Sequence, residues 1–269
     1  MSKINVNGIQ LYYEEHGAGE PLLLIEGLGY ATWMWYRQVP DLNREYRVIL
    51  FDNRGVGESD KPDLPYTIEM MAADAAGVLR SLGIRRAHIL GVSMGGYIAQ
   101  AFASQYPDLT HTLTLVCTSF GGPRAAPMPR STLDAMTRVT GLTPEEAILQ
   151  GMSVAFAPEF FSSHQAEVRK IAGWRLARPT PRYAWEHQFN AVARADLEER
   201  TAGIQAPTLI LTGDADLVVP AKNSRLLADT IPGSRLVVFP GAGHLVFIEQ
   251  ATEFNREVLA FLGQHPMPA

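Results

Sequence analysis

Ala87-His88-Ile89-Leu90-Gly91-Val92-Ser93-Met94-Gly95-Gly96 is the stretch on which the reading of this chain turns. An apolar run enters a serine flanked by glycines, and Gly91-Val92-Ser93-Met94-Gly95 fits G-x-S-x-G, a sharp strand-to-helix turn that holds a serine oxygen exposed. The glycines have a steric task, because strand and helix pass close together in so tight a turn and a Cβ at either flank would collide. Arg86 to Leu90 has the length and apolarity of a short buried strand. Gly95 to Tyr106 reads as a helix, with Ile98, Ala99, Phe102, Ala103 and Tyr106 at helical spacing.

Such a pentapeptide also arises by chance, so other residues must supply what a serine needs. A hydroxyl is a weak nucleophile at neutral pH without a base, and the base needs an orienting partner. His244, in Pro240-Gly241-Ala242-Gly243-His244, follows an expected strand and precedes the expected last helix. That position is the carboxyl edge of the sheet, where open α/β folds build their sites. The other histidines have weaker positions: His16 in a turn, His88 within a strand, His111 after a helix, His164 and His187 in the middle segment, His265 in the tail. An acid is expected in Leu211-Thr212-Gly213-Asp214-Ala215-Asp216-Leu217-Val218-Val219-Pro220, just past another strand, where Asp214 and Asp216 compete.

Outward from the serine, strands and helices alternate. Ile4 to Glu15 reads as a hairpin around Asn7-Gly8, a type I′ turn signal. Pro21 to Glu26 is a continuous apolar run, as expected of a strand buried on both faces. Trp33 to Leu42 reads as a helix, and Arg47 to Asp52 as a strand that ends in the loop Asp52 to Ser59. Thr67 caps a helix running from Ile68 to Leu82 and stopping at Gly83, and a strand surrounds Leu113. This order implies right-handed crossovers and a mostly parallel sheet flanked by helices.

The texture changes at Gly121-Gly122-Pro123. From there to Arg194 no apolar strand is visible, and Thr143-Pro144-Glu145-Glu146 is a capping box with proline at the first helical position. Methionines and aromatics are dense here; most read as a small helical core, and a minority as pocket wall. Met152, Phe156 and Trp185 are taken as substrate-binding. Alternation resumes with strands at Pro207 to Thr212 and Leu236 to Phe239, helices at Ala221 to Thr230 and Thr252 to Leu262, and a frayed end from His265 to Ala269. The expected organisation is a core of residues 1–120 and 195–269 with a helical cap, 121–194, inserted in it.

Over nearly its whole length the sequence resembles the α/β-hydrolase superfamily, whose fold is an α/β sheet with such a cap. The family pattern G-x-x-D-x-x-V-P matches Gly213, Asp216, Val219 and Pro220, which places the acid on Asp216 and leaves Asp214 to order the loop. Ser93, Asp216 and His244 then follow the family's nucleophile–acid–histidine order. The resemblance implies an oxyanion hole from the amides of Met94 and Leu28, and takes Asp52-x-Arg54-Gly55-x-Gly57-x-Ser59 as a structural support. One departure stands out: where family members usually read His-Gly-x, this chain has Glu26-Gly27-Leu28-Gly29. Glu26 either replaces the histidine as a hydrogen-bonding group behind the loop, or repels anionic substrates or holds a proton by desolvation.

The likeness is to capped bacterial esterases, 3-oxoadipate enol-lactonase-like proteins and acyl-homoserine lactonases. It implies hydrolysis of a small or medium carboxylic ester or lactone through an acyl-enzyme. A serine at the elbow argues against dehalogenase or epoxide hydrolase chemistry. C–C bond hydrolases and cofactor-free perhydrolases keep the same three residues, and a ligand receptor without turnover is the rival from another class.

Composition bounds the remaining choices. With 269 residues, 46% of them hydrophobic and 19% charged, there is ample material for a core. A net charge of −5 without any basic stretch argues against nucleic acid as a partner. No apolar run approaches the roughly 20 residues of a membrane span, and the first residues lack the apolar centre of a secretion signal. The single cysteine, Cys117, forms no internal disulfide and reads as a small buried hydrophobe, so a cytoplasmic location is expected. Gly27-Leu28-Gly29 and Gly55-Val56-Gly57 lack the third glycine of a dinucleotide fingerprint, and no metal or phosphate-loop motif occurs, so neither cofactor nor metal is expected. Arg124, Arg130, Arg175, Arg178 and Arg182 read as solvated charges, with binding of a substrate carboxylate as the other reading.

Overall fold

The computed structural model describes residues 2–268. Eight strands form one sheet: β1 (Ser2–Val6), β2 (Ile9–His16), β3 (Glu20–Ile25), β4 (Tyr46–Phe51), β5 (Ala87–Val92), β6 (Thr110–Val116), β7 (Thr208–Gly213) and β8 (Arg235–Phe239). Their order is β1-β2-β4-β3-β5-β6-β7-β8. The first two pairings are antiparallel and the rest parallel. The helices are α1 (Val39–Leu42), α2 (Ile68–Ser81), α3 (Met94–Gln105), α4 (Arg130–Thr137), α5 (Pro144–Ala155), α6 (Pro158–Ser163), α7 (Gln165–Ala177), α8 (Arg182–Ala193), α9 (Glu198–Ala202), α10 (Lys222–Thr230), α11 (Val246–Glu249) and α12 (Ala251–Gly263). Helices α4 to α8 all fall between β6 and β7. This is the α/β-hydrolase architecture.

Local chemistry explains the elements that carry the site. Strands β5 and β7 are buried along their whole length, which is why they read as largely apolar runs despite His88, Thr208 and Thr212. Asn7 and Gly8 take the positive φ values of a type I′ turn, 51° and 81°. The Asn7 amide also donates to Asp74 Oδ1 at 2.9 Å. Asp74 receives Arg54 as a two-pronged buried ion pair, Nε to Oδ2 at 2.6 Å and Nη2 to Oδ1 at 2.8 Å. Arg54 thereby anchors the loop after β4 to α2. Thr67 caps α2 by accepting from the Met70 amide, and the Thr143–Glu146 capping box opens α5.

Two sequence expectations need correction. Trp33 to Leu42 is not one helix but a 3₁₀ turn, Thr32–Trp35, followed by the single-turn α1. Pro40 has no N–H to give and its ring would meet the carbonyl four residues back, so the helix restarts with the proline in its first turn. The end of the chain is also more ordered than a frayed tail. Met267 N donates to Glu20 Oε1 at 2.9 Å and His111 Nε2 to the His265 carbonyl at 2.9 Å; Ala269 lies outside the described residues.

The core has two layers, one on each face of the sheet. The layer that holds α12 also takes in Met152, Phe156, Phe160 and Ile171, so the inserted helices share a core with the sheet. Among the described residues, no helix is long and apolar enough to cross a membrane.

Candidate active site

Ser93 follows β5 directly and holds φ 56°, ψ −120°, a conformation few non-glycine residues adopt. Its flanking glycines are obligatory. A Cβ on Gly91 would lie 2.1 Å from the Gly95 carbonyl oxygen, and one on Gly95 would lie 2.1 Å from that of Ile25. Ser93 lies against the loop after β3, its Cβ 3.2 Å and its Oγ 3.7 Å from where a Gly27 Cβ would project.

The loops after β7 and β8 bring Asp216 and His244 together. His244 Nδ1 lies 2.8 Å from Asp216 Oδ2. A carboxylate facing Nδ1 fixes the proton on that nitrogen and leaves the Nε2 lone pair free. The other carboxylate oxygen, Oδ1, accepts the amides of Val218 and Val219, each at 2.8 Å. Asp214 turns elsewhere and accepts the Gly241 amide at 2.7 Å. Cys117 is buried beside the pair, and desolvation followed by the charge of Asp216 pushes its thiol well up, so it remains protonated. Cys117, Asp216 and His244 are the one group among the described residues placed closely enough to share a metal ion. The Asp216 carboxylate already accepts three hydrogen bonds, two from main-chain amides and one from the imidazole, so its oxygens are committed within the protein.

Ser93 and His244 open onto the same cavity of about 510 Å³, with no hydrogen bond between them. Such contacts are often long before substrate arrives. Leu28 and Met94 line this cavity as well, and their amides donate to no acceptor among the described residues. Met94 opens α3, so its N–H is one of the unpaired donors at a helix N-terminus. The loop bearing Leu28 is held from above: Gly29 N donates to Gln188 Oε1 at 3.0 Å, and Gln188 Nε2 donates to the Arg54 carbonyl at 2.9 Å. Sequence reasoning passed over Gln188, which is fully buried. The signal was its place on the inner stripe of α8 with Ala184 and Ala191.

Glu26 lies behind this loop with no exposed surface. Its Oε1 accepts the Asn53 amide at 2.9 Å, while Oε2 is buried with no partner. Desolvation, reinforced by the neighbouring Asp52 charge, pushes the Glu26 carboxyl well above the usual range.

The wall of the cavity is mostly apolar. Trp185 lies on it, but Met152 and Phe156 do not, which corrects their reading as substrate-binding residues. Helix α5 presents its small residues, Ala147, Gly151 and Ala155, to the cavity. One position further on, Met152 packs into the shared core, and beyond the helix end Phe156 stacks on Phe160 with ring centres 5.0 Å apart. Of the five arginines singled out above, four pair with carboxylates: Arg124 with Glu198, Arg130 with Asp134, Arg178 with Glu58 and Arg182 with Glu186. Arg175 alone reaches the cavity.

The histidine loop is bonded to the end of α5. His244 N and Leu245 N donate to the Ala155 carbonyl at 2.8 and 3.2 Å. Glu249 accepts from Gly243 N at 3.0 Å and from Ala157 N at 3.3 Å.

Comparison with known proteins agrees with this architecture. A family model described as the alpha/beta hydrolase fold matches residues 20–251. A RutD protein of Azorhizobium caulinodans, named for carbamate hydrolysis, is 30% identical over 255 residues, 94% of this chain and 95% of that protein. The 2-hydroxy-6-oxo-2,4-heptadienoate hydrolase of Pseudomonas putida is 32% identical over 95% of this chain and 93% of its own length. The solved structure of the enol-lactonase from Burkholderia xenovorans superposes with a TM-score of 0.86 at 28% identity, covering 97% of this chain and all of the other.

Proposed function

Because this chain belongs to the α/β-hydrolase family, we propose that it is a serine hydrolase that cleaves small to medium carboxylic esters or lactones through an acyl-enzyme. The observation that carries this reading is one cavity shared by Ser93, by His244 oriented by Asp216 at 2.8 Å, and by the unpaired amides of Leu28 and Met94. His244 Nε2 takes the Ser93 proton as Oγ attacks the acyl carbon, and the negative charge gathers on the carbonyl oxygen between the two amides. Collapse expels the alkoxide, which takes the proton from His244. Water, deprotonated by the same nitrogen, then attacks the acyl-enzyme and releases the acid and Ser93. Asp216 stabilises the imidazolium at both stages. The segment 121–194 acts as the cap that shields these steps. Similarity to an enol-lactonase supports the lactone branch, and the Pseudomonas putida relative favours a second reading, C–C bond hydrolysis on the same residues.

The test is acid release in a pH-stat across short and long acyl esters, an enol-lactone, acyl-homoserine lactones and 2-hydroxy-6-oxo-2,4-heptadienoate. Ser93→Ala should lower turnover on the order of 10⁶-fold. Turnover that survives this substitution would overturn the reading. So would no turnover on any of these while an acylating probe still labels Ser93, as expected of a receptor.

A further inference from the structure

The cavity wall carries a single fixed charge. Among its lining residues are no aspartate, glutamate or lysine, so apart from the imidazole of His244 the one ionisable cation on the wall is the Arg175 guanidinium. Arg175 is half-buried, and no carboxylate or hydrogen-bond acceptor among the described residues partners it. Its guanidinium carbon lies 4.9 Å from the centre of the Tyr30 ring. That ring belongs to a row of tilted aromatic contacts that ties α7 to the 3₁₀ turn, Tyr30 to Trp33 at 5.5 Å and Trp33 to Trp174 at 5.5 Å. The aromatic face fixes the position of the cation and offsets part of its desolvation, but it accepts none of its N–H groups in the plane.

A second donor faces the same place. From the point where a Gly29 Cβ would project, Trp185 Nε1 is 3.5 Å away and Arg175 Nη2 is 3.8 Å away. The indole N–H also lacks a partner among the described residues. Two unpaired donors, one of them charged, thus converge beside the loop that carries the Leu28 amide. A forked cation and a neutral N–H suit a carboxylate.

We propose that Arg175 and Trp185 bind a free carboxylate of the substrate, so that the preferred substrate is a monoester or lactone of a dicarboxylic acid. This deepens, and rests on, the hydrolase reading above. Water adds across the acyl C–O bond, and the product is a dicarboxylate with the released alcohol and one proton.

The experiment compares mono(4-nitrophenyl) glutarate with 4-nitrophenyl hexanoate in the wild type, Arg175→Gln, Arg175→Lys and Trp185→Phe. The readout is the kcat/KM ratio of the charged to the neutral ester within each protein, which cancels general losses of activity. Arg175→Gln should lower that ratio roughly 10- to 100-fold, the worth of a charged hydrogen bond, and Arg175→Lys by less because it keeps the charge and loses the fork. An unchanged ratio, with both esters slowed alike, would overturn the proposal, because it would place the cation behind the oxyanion instead. Calorimetric titration with glutarate, expected to bind at least tenfold more weakly to Arg175→Gln, reads the anion site without turnover. Wild-type protein that binds glutarate but hydrolyses neither ester would sink the hydrolase reading and leave the anion site standing. Hydrolysis of the hexanoate with no preference lost in any variant would do the reverse.

Discussion

Replacing Asp216 by asparagine tests the catalytic reading through a single atom. The carboxylate accepts three hydrogen bonds, two backbone amides on Oδ1 and His244 Nδ1 on Oδ2. Asparagine has one oxygen. The amides of Val218 and Val219 can only donate, so the amide oxygen must stay with them and the Nδ2 hydrogens must face His244 Nδ1. The imidazole then accepts at Nδ1 and carries its proton on Nε2, the nitrogen meant to take the Ser93 proton. Fold and packing survive, but the base is lost. A wrong tautomer of this kind costs roughly 10⁴ in kcat in a related triad, about 5 kcal/mol in the barrier. The assay is kcat on a neutral ester from pH 6 to 9, with Asp214→Asn alongside as the neighbour that orders the loop and should change kcat less than about threefold, within the scatter of surface substitutions. An Asp216→Asn enzyme within tenfold of the wild type, or a larger loss in Asp214→Asn, would refute the reasoning.

Glu26→Gln should stabilise the protein at alkaline pH. The carboxyl is held above its ordinary value, so the folded state keeps the proton after the unfolded chain has lost it; that contribution is present at low pH and disappears as the pH rises through the folded value. Glutamine stands in for the protonated form throughout, so thermal melts should diverge towards pH 8 to 9 and converge near the ordinary carboxylate range; identical curves would remove the idea. Gln188→Leu should strand the Gly29 N–H and the Arg54 carbonyl, at about 1–3 kcal/mol each. Calorimetry should show Tm lower on the order of 10 °C, with kcat reduced more than KM is raised as the Leu28 amide loses its support.

The parts of the fold that were legible are those with local causes. Asn7-Gly8 specifies its own turn, Thr67 its own helix start, and the glycines of the elbow their own close approach. What escaped depends on partners distant in sequence. Nothing near Gln188 announces that Gly29 needs an acceptor 159 residues away. The face that α5 presents depends on where the sheet lies, so large side chains were read as wall when small ones face the cavity. Asp214 and Asp216 are alike in composition; the family pattern separates them, and the geometry shows the difference, since one caps a loop amide and the other reaches the imidazole. Arg175 looked like its neighbouring arginines until their carboxylate partners could be counted.

The bonds from His244 N and Leu245 N to the Ala155 carbonyl bear on how such a protein can be recombined. A cap transplanted from a relative brings its own main chain to the point where this one steadies the histidine loop. Chimeras joined at 121 and 194 would therefore swap a support of the base along with the pocket wall, and turnover would change even on substrates that never touch the new helices. Keeping residues 155–157 native, together with Glu249, and exchanging only 121–154 and 158–194 would separate the two inheritances. On the proposed reading, the inserted helices are a replaceable module only up to the joint at Ala155.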